Sequence, residues 1–423
     1  MRHALRSREG TAALTSLYPA SASPDRQQAR YLALVDRFES AFPGSEGLRL
    51  FSAPGRTEIC GNHTDHNGGR VLAAAVAQDA VAVAAPASDG VIRIESEGYP
   101  PQTVAVEERD AREAERGSTA ALVRGVAARL VQLGYAAGGF RAFVASDVMK
   151  GSGLSSSASY EVLVGTILSH LYNNGSVSGL QVAMIGQYAE NEYFGKPCGL
   201  MDQTTSALGG FVTIDFRDAA APQVRGVRSE FGGSGYVPVI VDTGGNHADL
   251  TDDYAAVKEE MKAVAQCLGG TLLRDVTRER LLAELPRIRA AAGDRAVLRA
   301  LHFFGDDERV TQEVQALETG RWERFLELVR ESGRSSWMLL QNCYATRSVR
   351  EQGVPVALAL SESLLGNEGA WRVHGGGFAG TILAFVPEKK REAYLQEMRR
   401  VFGPGACHPL SIRAAGGVML PLG

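Results

Sequence analysis

Cysteine is scarce in this chain: 423 residues contain five, Cys60, Cys198, Cys267, Cys343 and Cys407, scattered and without paired spacing. So few, and odd in number, they exclude a disulfide scaffold and a cysteine-based metal site, and they fit a reducing, cytoplasmic setting. Long apolar runs are missing as well. The most apolar stretch, 71–86, is alanine-rich, interrupted by Gln78 and Asp79 and too short for a bilayer, so no membrane partner is expected. The first residues carry Arg2, Arg6, Arg8 and Glu9 without the apolar core of a secretory leader. They read as a frayed lead-in to an amphipathic helix over 30–42. Neither charge sign dominates: 44 Lys and Arg against 48 Asp and Glu give a formal net charge of -4, which argues against nucleic acid as a partner.

What the chain has is length, a normal apolar share of 45% and 48 glycines. The length predicts two to three domains with a large buried core. Short β-type runs stand at 48–53, 81–85, 91–96 and 141–146, and helical spacing marks 120–134, 157–172 and 180–194. The segment 218–235 is rich in Ala, Gly, Pro and Arg and lacks a period. It predicts a domain boundary that divides the chain into 1–225 and 226–423. Beyond it lie a buried strand at 237–242, a helix at 252–268 and a nearly continuous helical pattern over 278–365. Strands at 371–373 and 381–386, a charged helix at 388–402 and short strands over 410–420 follow. Helices and strands mix without strict alternation, which predicts an α+β fold rather than a doubly wound sheet.

The glycines gather in three places that carry chemistry. In Pro54-Gly55-Arg56-Thr57-Glu58-Ile59-Cys60-Gly61-Asn62-His63-Thr64-Asp65-His66-Asn67-Gly68-Gly69, polar side chains are packed between residues that let backbone approach a ligand. Asn62, His63 and Asp65 suit hydrogen bonding to a polyhydroxy ligand, and Arg56 suits an anion beside it. A turn-rich surface loop and a metal site from His63, Asp65 and His66 are the competing readings. The second cluster, Lys150-Gly151-Ser152-Gly153-Leu154-Ser155-Ser156-Ser157-Ala158-Ser159, sits where a strand gives way to a helix. Free amides, capping serines and the helix dipole make it a phosphate cradle without the Walker form. The third, His374-Gly375-Gly376-Gly377-Phe378-Ala379-Gly380, satisfies G-x-G-x-x-G. It is followed by a β-type run where the dinucleotide fingerprint needs a helix, so it reads as a tight turn supporting the first loop or touching ligand. Finally, Glu190 and Asp202, in Ala189-Glu190-Asn191-Glu192 and Cys198-Gly199-Leu200-Met201-Asp202-Gln203, offer a carboxylate for a divalent cation and one for a hydroxyl. Asp202 as a plain helix cap is the alternative.

In this order and spacing the four segments resemble the GHMP small-molecule kinases, most closely the galactokinase branch. The first is similar to the signature Gly-Arg-Val-Asn-Leu-Ile-Gly-Glu-His-Thr-Asp-Tyr-Asn-x-Gly, and Cys198 to Gln203 to Cys-Gly-Ile-Met-Asp-Gln. The resemblance implies an N-terminal α+β domain and a C-terminal ferredoxin-like domain with the active site in the cleft between them, the last strands able to return to the N-terminal domain. It implies ATP with Mg²⁺ as donor and the anomeric hydroxyl of galactose or a close relative as acceptor. Asp202 would act on that hydroxyl and Arg56 would lie beside the transferred phosphoryl. Asn62, His63, Asp65, Gly199 and Tyr254 would line the sugar site; Lys150 through Ser157 would hold ATP, with Ser157 and Glu190 at the metal. Val241-Asp242 leading to His247 and Tyr254 is a lesser echo.

Four departures stand out. Asn62 replaces the signature's glutamate, His66 its tyrosine, and Thr57 and Glu58 its valine and asparagine; Met149-Lys150 replaces a proline-containing entry to the phosphate loop. In the family that glutamate is thought to accept from the sugar's exocyclic hydroxymethyl group. Asn62 loses its charge while adding a donor, which points to galacturonate or arabinose as alternative acceptors. A non-catalytic sensor of sugar and ATP is a further alternative. The complete Ser155 to Ser159 stretch with Arg56 and Asp202 favours an enzyme. Oligomeric state, monomer or dimer, is not legible, and Gln341-Asn342-Cys343-Tyr344 has no explanation at this level.

Overall fold

The computed structural model describes the chain except residues 20–21, 150, 152, 246–249, 346–347 and 423. Lys150, Ser152 and His247 therefore lie outside the described residues. Two sheets organise the rest. The first has eight strands: β1 (Arg49–Cys60), β2 (Arg70–Ala87), β3 (Val91–Ser96), β4 (Tyr99–Ala105), β5 (Gly139–Ser146), β6 (Phe211–Asp215), β7 (Gln223–Val227) and the short closing strand at Val418–Met419. The second has four: β8 (Tyr236–Asp242), β9 (Ala370–Val373), β10 (Thr381–Pro387) and β11 (Cys407–Pro409). Their spatial order is β11-β8-β10-β9, all antiparallel. With helices Gly353–Leu365 and Arg391–Phe402 in the crossovers, this is the ferredoxin-like βαββαβ arrangement.

Strand β2 shows why the first sheet is long and double-faced. Successive side chains point to opposite faces. Ala80, Ala82 and Ala84 enter one core with Val126, Phe140, Leu163 and Ile167, whereas Val81, Val83 and Ala85 enter another with Tyr31, Leu34, Val35 and Phe38. Small residues on both faces admit helices on both. The strand expected at 81–85 is therefore eighteen residues long. The lead-in expected to fray is instead helical, with Arg2–Arg6, Arg8–Leu17 and Pro24–Ala41 covering the outer face of this sheet. An uncovered apolar face would stay in water, and these helices remove it.

The two sheets meet through helices Asp294–Glu318 and Trp322–Ser335. Val310, Val314, Phe325 and Val329 pack between Ile59 and Leu72 of the first sheet and Leu383 and Phe385 of the second. The nearly continuous helical pattern read over 278–365 resolves into separate helices, divided at Glu284, Gly293 and 319–321, and after a wide turn at Ser336–Leu340 the described residues 341–345 and 348–352 are not helical. The chain returns to the first sheet at its end. The closing strand pairs with β1 at Phe51–Met419, and Val76 bridges Ile412. Three glycine-rich segments are thereby set around one cleft: the end of β1, the loop after β5 and the turn joining β9 to β10. Among the described residues no helix is long and apolar enough to cross a membrane.

A buried charge cluster pins the N-terminal helices behind this cleft. Asp79 is fully buried and accepts from Tyr18 Oη (2.6 Å), Arg30 Nη1 (2.6 Å), Arg413 Nη1 (2.8 Å) and the Ser52 hydroxyl. Burial alone would raise its pKa, but the guanidiniums of Arg30 and Arg413 outweigh it and hold the carboxyl below its ordinary value. Removing one partner leaves a buried charge short of compensation. Arg413→Met is expected to cost about 3–5 kcal/mol, read as a lower urea midpoint. The sign with pH follows from the lowered pKa. Asp79 contributes stability above the unfolded carboxylate pKa of about 3.9 and loses it as pH falls, so the deficit of Arg413→Met narrows in acid.

Candidate active site

Arg56 lies within β1, in the segment read from sequence as a loop; strand geometry holds it stiffly. Its backbone N–H donates to Leu154 O at 3.0 Å and its Nη1 to Gly153 O, so one residue fixes the phosphate loop twice. Its Nε and Nη2 grip Asp202 in a two-pronged pair, at 2.6 Å to Oδ1 and 2.5 Å to Oδ2. Asp202 stands in the first turn of helix Met201–Leu208 and reaches across to β1 rather than capping its own helix; no side-chain cap is made there. Burial would push its carboxyl up, but Arg56, with smaller help from the Ser155 hydroxyl and Lys196, holds it below the ordinary value.

The phosphate loop departs from the expected serine cap. Ser155 at the N-cap of helix Ser156–Tyr172 is left-handed (φ 57°) and makes no cap bond; its hydroxyl goes to Asp202. The first described intrahelical bond is Ser159 N to Ser155 O, so the opening amides have no intrahelical partner and suit an anion. Gly151 and Gly153 both have φ 74°. At Gly153 a Cβ would lie 2.6 Å from His374 Nδ1, so only glycine fits. His374 Nε2 in turn meets Thr57 Oγ1 at 3.0 Å, which gives the Thr57 departure a partner.

The sugar-type residues are organised by the third glycine cluster. Gly375 O accepts from Asn62 Nδ2 (2.7 Å), Gly376 O from His63 Nε2 (2.9 Å) and Gly377 O from Tyr254 Oη (3.1 Å). His63 stacks on Tyr254, with centroids 6.5 Å apart. Asp65 faces the turn before Asp202: a Cβ on Gly199 would sit 3.1 Å from Asp65 Oδ2. The structure thus brings Arg56, Asp202, Asp65, Gly199, His63 and Tyr254 around one cleft. Asn62 is buried, its second amide hydrogen on Glu58 Oε1 (2.9 Å) and its oxygen accepting from Asn342 Nδ2 (2.7 Å). His63, Asp65 and His66 do not converge as metal ligands. His63 Nε2 is turned to a carbonyl, and His66 Nε2 lies 3.7 Å from Asp65 Oδ1.

Oxygen ligands do meet at the opening turn of the phosphate helix. Ser157 Oγ donates to Glu190 Oε1 at 3.1 Å, and Glu190 Oε2 is held by Gln203 Nε2 at 2.8 Å. Among the described residues no group of three or more His, Cys, Asp or Glu could hold an ion. One carboxylate and one hydroxyl fit Mg²⁺, which takes few protein ligands and completes its shell with phosphates and water. Beneath them the buried Glu161 carboxyl is pushed well up, first by burial and then by Glu190, and it shares the Gln203 amide at 3.0 Å.

Several functional groups were not legible in the sequence. A cavity of about 490 Å³ opens beside Ser156 and Ser157, walled by Tyr99, Leu122, Val144, Val148, Tyr160 and Phe194. Its residues come from separate elements, so no motif announces it. Lys196, 3.4 Å from Glu190 Oε1, lies in the short link between two motifs. Gln203 was visible only as the tail of Met-Asp-Gln. Asn342, in the stretch without an explanation, touches both Asn62 and Gly376 O (3.1 Å).

Residues 36–86 match the model of the galactokinase galactose-binding signature, and residues 121–210 match that of the GHMP kinases N terminal domain. Among solved structures, Lactococcus lactis galactokinase complexed with galactose superposes with a TM-score of 0.77 at 23% identity, covering 92% of this chain and 99% of that one. Methanococcus jannaschii mevalonate kinase gives 0.62 at 15% identity, covering 87% and 99%. A D-glycero-D-manno-heptose 1-phosphate kinase from Bacteroides thetaiotaomicron gives 0.58 at 15%, covering 88% and 98%. The likeness to these structures establishes the shared two-domain α+β fold.

The electrostatics of the cleft are open to direct measurement. Burial of the His63 ring, reinforced by His66 and only partly offset by the Gly376 carbonyl, lowers its pKa to about 4. Its ring resonances in a histidine-resolved NMR titration are expected to stay flat from pH 8 to 5.5 and to move near pH 4. A midpoint near 6.5 would place the ring in solvent instead.

Proposed function

We propose that this chain, which matches the galactokinase signature and the GHMP kinase N-terminal domain, is a sugar kinase that transfers the γ-phosphoryl group of ATP to the anomeric hydroxyl of galactose or a close relative, giving the sugar 1-phosphate and ADP. The observation that carries the reading is the Arg56–Asp202 pair, which joins the phosphate loop to the helix facing the sugar-type residues. On this reading the opening amides of helix Ser156–Tyr172 and the loop 150–155 cradle the phosphates, and the 490 Å³ cavity takes the nucleoside. Ser157 and Glu190 would hold Mg²⁺, which supplies charge neutralisation at the phosphates when bound. His63, Asp65 and Tyr254 would hold the acceptor, with Gly199 leaving room against Asp65.

Phosphoryl transfer asks mainly for alignment and for positive charge where the phosphoryl oxygens lie. Arg56 supplies that charge from a stiff strand. The hydroxyl oxygen forms the new bond to phosphorus as the bond to the ADP oxygen breaks, and the hydroxyl proton passes towards Asp202. A carboxylate held low by Arg56 is a weak base, so its main service is to orient the hydroxyl. Asp202→Asn is expected to cut turnover by about 10²- to 10⁴-fold with ATP affinity little changed. Unchanged turnover removes Asp202 from this role. The acid limb of the native kcat/KM profile is expected below about pH 4, the ordinary carboxylate value, because the shift is downward.

A second reading for the acceptor rests on Asn62. The acid of the signature is an amide here, and Glu58, which accepts from Asn62 Nδ2 at 2.9 Å, is paired with Arg372 Nη2 at 2.9 Å. A galacturonate-type acid, or a pentose such as arabinose lacking the exocyclic hydroxymethyl, would then meet an amide and an arginine-paired carboxylate there rather than a free glutamate. A panel of sugars assayed for ATP-dependent ADP release separates the readings. Strong preference for galactose with galacturonate and arabinose inert supports the first; the reverse supports the second. Sugar and ATP binding without ADP release would mean a sensor.

A further inference from the structure

Lys196 is the one cation of the link between Glu190 and Asp202, and its surroundings are unusual for a surface lysine. Its backbone is pinned. Gly195 N and Lys196 N both donate to Glu190 O, at 3.0 and 3.1 Å, Pro197 restricts it from the other side, and Asn191 Oδ1 accepts from Cys198 N at 2.7 Å. Gly195 takes the left-handed conformation (φ 83°) that turns the chain back over Glu190. The side chain, by contrast, is 64% exposed and reaches over the cleft to place Nζ 3.4 Å from Glu190 Oε1, whose own side chain is 3% exposed.

That oxygen is the one bonded to Ser157 Oγ and left for a cation, since Oε2 belongs to Gln203. An ammonium and a divalent ion beside one carboxylate oxygen repel each other. A bound ion would therefore favour movement of the lysine head, which its flexible four-carbon stem allows. The neighbouring carboxylate is already largely neutralised, because both oxygens of Asp202 are gripped by Arg56. Glu161 is fully buried below. On the kinase reading the transferring phosphoryl group would lie beside Glu190 and Asp202, the two residues that the lysine's own link joins.

We propose that Lys196 is a catalytic residue with two stations: it neutralises Glu190 in the empty enzyme, and on metal–nucleotide binding it moves to the transferring phosphoryl group. The proposal rests on the kinase reading for its second station only. It predicts opposite effects from one substitution. In Lys196→Met, Mn²⁺ followed by electron paramagnetic resonance binds the nucleotide-free enzyme more tightly, by roughly fivefold, the scale of an exposed ion pair. In the same variant kcat falls by about 10²-fold, the scale of losing one donor to a developing charge, while the KM for sugar stays within about twofold. Lys196→Arg keeps most of both properties. The exposed head makes a folding defect unexpected, and an unchanged Tm verifies that. A merely structural lysine would not tighten metal binding. Unchanged or weaker Mn²⁺ binding overturns the proposal, and so does tighter binding with kcat intact. If the native chain phosphorylates no sugar in the panel, the kinase reading fails separately. The affinity for Mn²⁺ with β,γ-imido-ATP then stands in for kcat: weaker binding to Lys196→Met supports the second station, and equal binding overturns it.

Discussion

The cleft depends on one guanidinium. Arg56 touches three elements that are far apart in sequence: its own strand β1, the phosphate loop through Leu154 O and Gly153 O, and the helix of Asp202. Arginine can do this because its planar fork offers five donors in fixed directions. The same contacts lower the Asp202 carboxyl, so the geometry of the donor side and the ionisation of the acceptor side have one cause. Lysine at this position would keep the charge and lose both the two-pronged grip and the simultaneous bond to Gly153.

The sugar-type residues are ordered by a backbone rather than by one another. Three consecutive carbonyls, of Gly375, Gly376 and Gly377, accept from Asn62, His63 and Tyr254. Side chains would spoil the arrangement: a Cβ on Gly376 would lie 2.4 Å from Tyr254 Cε1, and one on Gly377 would lie 2.2 Å from Asn342 O. Below this surface Glu58 meets Arg372, His302 Nε2 donates to Asn62 O at 2.9 Å, and Asp306 Oδ2 accepts from Asn62 N at 3.0 Å. These bonds join the first sheet to the helical block and to the second sheet. The domain division proposed at 225/226 is thus bridged at the sugar loop.

Contiguous chemistry was legible, and chemistry assembled from distant residues was not. The phosphate loop, the Asp202 segment and the third glycine cluster each announce themselves by residue type within about ten positions. Glu58 and Asn62 showed as two separate departures from the signature. Only the 2.9 Å bond between them reveals one exchange, with the acid and the amide trading places four residues apart. Asn342 belongs to the same network, which accounts for a stretch whose residue types carry no local signal. The N-terminal helices were read as a frayed lead-in because their reason lies elsewhere, in the second face of an alanine-rich strand.

The sequence by itself determined the kind of site on offer: glycine-rich loops that let backbone approach an anion, an arginine and an aspartate in separate motifs, and a chain with few cysteines and no long apolar run. Local composition sufficed because each of these needs particular residue types at short spacing. Tertiary structure decided who meets whom. It paired Arg56 with Asp202 across 146 positions, made His374 the wall behind Gly153, turned Asn62 inward, and set Lys196 over the Glu190 carboxylate. Such contacts depend on how two sheets pack through a shared helical layer, and no short stretch of residues encodes that packing.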